Sequence, residues 1–104
     1  MPRRVVRQPN GLFAMFSTIV DDFVIYGMSE EQAYQECHRD MGVLEARAKV
    51  LRGMNDEDEG GRKGDGLSRW RDCLDTIRIV HGGKAARERE AELSRPVPAQ
   101  EATP

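Results

Sequence analysis

No CxxC pair, no apolar run of membrane-spanning length and no Gly-Lys-Ser/Thr phosphate loop occur in this sequence, and each absence removes a class of function. The two cysteines, Cys37 and Cys73, sit in apolar helical registers and read as buried, reduced thiols of a cytosolic protein. The basic start at Arg3 and Arg4 is not followed by an apolar stretch of signal-peptide length, so the reading expects a cytoplasmic protein with no membrane partner. Charge of one sign is lacking too. Sixteen Lys plus Arg oppose 18 Asp plus Glu, a net charge of -2 that offers no global field for nucleic acid.

Catalytic and metal signatures are equally sparse. An EF-hand begun at Asn55 or Asp56 has Gly66 or Leu67 at its twelfth position, where a bidentate acid belongs. Adjacent Cys37 and His38 point about 100° apart on a helix and cannot share one zinc ion. His81, at the carboxyl end of an apolar helical stripe, reads as a structural residue near the negative pole of the dipole. With no nucleophile–base pair and no ligand set, the sequence points to a non-enzyme without cofactor or metal.

What the chain does have is a turn. Asn10-Gly11 sits between two short extended runs and predicts a type I′ hairpin, pairing Val6 with Met15 and Val5 with Phe16. In that register Phe13, Met15 and Val6 share one face, and Leu12, Ala14, Phe16 and Val5 the other. Both faces are apolar. A third strand over Phe23–Tyr26 ends at Gly27, and Ser29-Glu30-Glu31-Gln32 is a capping box that opens a helix expected over about Glu30–Arg52. Its seam is Ala33, Cys37, Met41, Leu44, Ala48 and Leu51.

Residues 53–67 read as a polar, flexible connector. A second helix follows from Ser68 with Trp70, Leu74, Ile77 and His81 as its stripe, ending at Gly82-Gly83. The predicted fold is therefore α+β: an N-terminal antiparallel hairpin with a third strand, then two antiparallel helices, over residues 1–83. Residues 84–104 are charged, then Pro-containing, and read as a disordered tail. Two helices cover only one face of a sheet that is apolar on both, so a homo-oligomer is expected.

One constellation suggests binding. Arg71, Asp75 and Arg78 share a helical face beside Trp70, and Arg4 and Arg7 lie on the hairpin near Phe16. Guanidinium forks bind phosphate and rings stack on bases, so Arg4, Arg7, Arg71 and Arg78 are candidate phosphate clamps. Trp70 and Phe16 are candidate stacking partners, and Asp75 and Asp21 candidate acceptors from ribose or base. An Arg-Asp-Arg ladder on a solvated helix is the plain structural alternative.

Two blocks, Arg7–Ala33 with its Pro9-Asn10-Gly11, Phe16-Ser17 and Val20-Asp21, and Trp70–Gly82 with its Leu74, Thr76-Ile77 and His81-Gly82, resemble small proteins of bacteriophages and prophages. The layout is similar to that of phage anti-Thoeris sponge proteins. That resemblance implies a counter-defence protein, acting in the infected bacterium, that sequesters an anionic cyclic nucleotide signal without degrading it. The competing expectation is a protein-binding inhibitor of a defence enzyme, of anti-CRISPR or anti-restriction type, using Asp21, Asp22 and the acids of 56–59 as a phosphate mimic.

Overall fold

A computed structural model describes residues 3–39, 41–57 and 61–96. Strands β1 (Arg3–Arg7), β2 (Phe13–Ser17) and β3 (Asp22–Met28) form an antiparallel sheet in the order β1-β2-β3. Among the described residues four helices follow: α1 (Glu30–His38), α2 (Val43–Asn55), α3 (Ser68–His81) and α4 (Gly83–Leu93). The fold is α+β. None of the helices among the described residues is long and apolar enough to cross a membrane.

The hairpin turn differs from the predicted one by one residue. Arg7 pairs with Phe13, Val6 with Ala14 and Val5 with Met15, and only Gly11, at φ 87°, takes a positive φ in the loop. Gly11 N–H donates to Gln8 O at 3.0 Å and Gln8 N–H to Leu12 O at 2.8 Å, the pattern of a type I turn closed by a glycine bulge. Pro9 explains the choice. Its ring presets the first central φ of a type I turn, with Asn10 second and glycine last. The slip exchanges Val5 and Val6 between the faces, so Val5 joins Phe13 and Met15 while Val6 joins Ala14 and Phe16.

Each face meets its own helical layer. Val5, Phe13 and Met15 pack against Ala33 and Cys37 of α1 and Ala46 and Val50 of α2. Val6, Ala14 and Phe16 pack against Trp70, Cys73, Leu74 and Ile77 of α3 and Ala86 and Leu93 of α4. Register irregularities in the β2–β3 pairing let β3 send Phe23 to one layer and Ile25, only two positions on, to the other. The chain thus covers both sides of its sheet itself, which removes the two-faced sheet as a reason for self-association.

Three expectations about the helices are corrected. The helix expected over Glu30–Arg52 is two helices, because Gly42 interrupts it as the N-cap of α2. After that break the inward row is Ala46, Val50 and Gly53, and the expected seam residues Leu44 and Leu51 face outward. The capping box at Ser29 and Gln32 does form. Residues 83–93, expected to begin a disordered tail, are α4: Leu93 is 1% exposed, and Arg89 makes a two-pronged ion pair with Asp22, both contacts at 3.0 Å. The rest of the expected tail, 97–104, lies outside the described residues.

Connector 53–67 has an anchor as well. Asp56, in the left-handed region at φ 54°, is 3% exposed, and its carboxylate accepts N–H bonds from Gly66, Ser68 and Arg69 at 3.0, 2.7 and 2.9 Å. It caps α3 from twelve residues upstream. Burial alone would raise this carboxyl, yet those donors hold it below its ordinary value.

Candidate functional site

The sequence-predicted clamp does not assemble. Phe16 and Trp70 are 4% and 3% exposed and lie in the core, both against Phe23: Phe16 edge-on and Trp70 stacked, each at 5.4 Å between centroids. Their rings are occupied by apolar packing and present no face to a base. Arg71 is bound to Asp65 at 2.5 Å and Arg78 to Asp75 at 2.6 Å, exposed pairs on the outer side of α3. Of the expected Arg71-Asp75-Arg78 ladder only the Arg78–Asp75 rung forms, and Arg71 turns to Asp65 in the preceding loop. Asp21 holds a left-handed turn between β2 and β3, at φ 53°, and Arg7 is exposed at the end of β1.

Arg4 alone of those eight enters a cavity with other cations. A cleft of about 300 Å³ opens along β1 between the two helical layers. Arg3 and Arg4 come from β1, Lys49 and Arg52 from α2 and Arg69 from α3, with Glu45 the one carboxylate of the lining among the described residues. Val5, Met41 and Ala48 supply the apolar part of the wall. Five cations around one small space raise the local potential for an anion far above what a net charge of -2 implies.

Local structure fixes this arrangement. Glu45, Lys49 and Arg52 recur at spacings of four and three, which places them on one flank of α2. α2 lies tight on β1 at Gly53, where a Cβ would stand 2.6 Å from Val5 Cγ1 and 2.8 Å from Val5 O. Arg69 is held at both ends: its N–H donates to Asp56 Oδ1 and its guanidinium Nη1 to Val5 O, each at 2.9 Å. Only 7% exposed, it is the rigid member of the set. Sequence reasoning passed over Arg3, Lys49, Arg52 and Arg69; the 45-49-52 spacing was the available signal, but it does not show that β1 and α3 bring further cations to that flank.

Other reactive groups are tied down. Cys73 is buried, and burial pushes its thiol up to about 12, which leaves no thiolate for chemistry. Cys37 and Cys73 lie in different helical layers. His81 Nε2 is 2.9 Å from Val20 O, and His38 Nδ1 is 3.1 Å from Met41 O. Among the described residues no three His, Cys, Asp or Glu side chains group as metal ligands.

The acidic surface is also smaller than the composition suggests. Asp22 is locked to Arg89, whose hydrogen bonds hold its carboxyl below the usual range, and Asp56 is buried at the start of α3. Asp58 and Glu59 lie outside the described residues. Comparison with protein-family models, with curated proteins and with solved structures finds no match to this chain.

Proposed function

We propose that the protein is a non-catalytic binder of a phosphorylated small molecule, held in the cleft between β1, α2 and α3. The observation that carries this reading is the convergence of Arg3, Arg4, Lys49, Arg52 and Arg69 on one space of about 300 Å³. Guanidinium groups offer paired N–H donors that match phosphate oxygens, and Arg69, already anchored to Val5 and Asp56, loses little freedom on binding. The apolar wall of Val5, Met41 and Ala48 suits the uncharged part of such a ligand. Aromatic stacking is not part of this reading, because Trp70 and Phe16 are core residues.

The biological setting follows the phage resemblance: sequestration of an anionic cyclic nucleotide signal in an infected bacterium, by binding without turnover. Calorimetry with inorganic pyrophosphate and with a cyclic dinucleotide tests it. The expected result is saturable binding that weakens as salt rises, with the nucleotide recovered intact after denaturation. Failure of both anions to bind at low salt overturns the reading, and recovery of a cleaved nucleotide replaces it with an enzyme.

A further inference from the structure

α2 carries two apolar rows rather than one. Ala46, Val50 and Gly53 face the protein's own core, while Leu44, Ala48 and Leu51 repeat the same spacing on the far side. At 3.6 residues per turn the rows are centred roughly 160° apart. Leu44 is 83% exposed and Leu51 54%. A surface helix of a single chain needs one apolar stripe, and a second opposite stripe is the pattern of a helix covered on both sides.

We propose that this outer row is an interface between two copies of the chain, joined as an antiparallel pair of α2 helices. Charge selects both the occupant and the orientation. Glu45 and Arg52 each stand one position after a seam leucine, on the same flank of the helix. A two-fold axis perpendicular to an antiparallel pair brings like flanks together in reversed order. Glu45 then meets the partner's Arg52, and Arg52 the partner's Glu45, which is the self-complementarity an isologous patch requires. A parallel pair would instead turn the Arg47 flank toward the partner's Arg52, setting like charges side by side.

The apolar contacts fit the same geometry. Ala48 is central in the row, so the helices approach most closely there, and Leu44 packs against the partner's Leu51 at either end. The Glu45–Arg52 flank also borders the basic cleft, so the two clefts open on one side of the pair. Arg3, Arg4, Lys49 and Arg69 stay clear of the seam. Glu45, Ala48 and Arg52 belong to both cleft wall and seam, so association is tested on the chain without added anion.

Sedimentation equilibrium of the full chain tests the proposal. The expected result is a species of twice the chain mass, converted to single chains by Leu44→Glu with unchanged far-ultraviolet circular dichroism. Glu45→Arg should weaken association about tenfold, and Glu45→Arg combined with Arg52→Glu should restore it. A wild-type chain that sediments singly up to millimolar concentration overturns the proposal. So does a Leu44→Glu chain that keeps the wild-type mass, or a double exchange that fails to recover association.

Discussion

Gln8 and Leu93, 85 positions apart, are joined by a 2.8 Å hydrogen bond from the Gln8 side-chain amide to the last helical carbonyl of α4. The same amide accepts from Gly27 N–H through Oε1 at 2.8 Å, and Gln8 is 2% exposed. One side chain therefore satisfies a helix end and a strand irregularity at once. Gln8→Ala strands both partners and should cost about 2–3 kcal/mol in urea unfolding. Gln8→Glu keeps the acceptor but replaces the donor with a carboxylate facing the Leu93 carbonyl. Its destabilisation should be larger at neutral pH and ease as the introduced acid protonates.

The outer end of α4 is held by Leu93 itself. Leu93→Ala removes a side chain buried among Val6, Phe16 and Ile77 and should lower stability by about 2–5 kcal/mol. A disordered tail would show no change in the denaturation midpoint. Limited proteolysis gives the same distinction, since cleavage at Arg87 or Arg89 should be slow in the native chain.

This segment shows what the residues did and did not disclose. Hairpin, third strand, capping box and the Trp70–Ile77 stripe each carry a local signal, and all four elements form. α4 has only Ala86 and Leu93 to bury, and its order comes from long-range partners: Gln8, the Arg89–Asp22 pair, and Asn10 Nδ2 donating to Arg95 O at 2.9 Å. No window of sequence contains those pairings. The cleft was hidden for the same reason, because its cations come from three elements whose relative placement is a tertiary fact. Aromatic residues misled in the opposite direction. Next to arginines in sequence, Trp70 and Phe16 suggest a ligand, but the sheet consumes them as core.

Asp56 should govern a share of the acid sensitivity. Its carboxyl is held below the ordinary value in the folded chain, so it binds a proton less readily there than in the unfolded state. The stability it confers is complete above the ordinary carboxylate range, about pH 4, and is lost as pH falls through the lower folded value. Asp22, lowered by its hydrogen bonds to Arg89, adds to the same trend with the same sign. Asp56→Ala should cost roughly 3 kcal/mol at neutral pH and flatten the pH dependence of the melting temperature below pH 4. Because Arg69 N–H loses its acceptor, anion binding in the cleft should weaken as well.

Gly53 offers a case in which two effects of opposite sign compete. Alanine is favoured over glycine inside a helix by up to about 1 kcal/mol. Against that, the new Cβ would lie 2.8 Å from Val5 O, a strand carbonyl already bound by Arg69. Overpacking against a backbone atom costs about 1–3 kcal/mol, so the clash wins and Gly53→Ala should lower the melting temperature. A rise in melting temperature would mean that α2 can shift away from β1 freely.

Three substitutions separate cleft from core and ladder. Lys49→Glu places a carboxylate among Arg3, Arg4 and Arg69 and should reduce pyrophosphate affinity at least about tenfold, a loss of some 1.4 kcal/mol, while the chain stays folded. Arg78→Ala breaks only an exposed pair with Asp75 and should leave both affinity and stability within about 0.5 kcal/mol of wild type. Trp70→Ala should cost about 3–5 kcal/mol in stability, because the indole fills the space between Phe23 and the α3 layer. Wild-type Trp70 fluorescence should keep the blue-shifted emission of a buried indole when pyrophosphate saturates the protein. A quenched or red-shifted emission on titration would place the ligand against the ring and return the binding site to the outer face of α3.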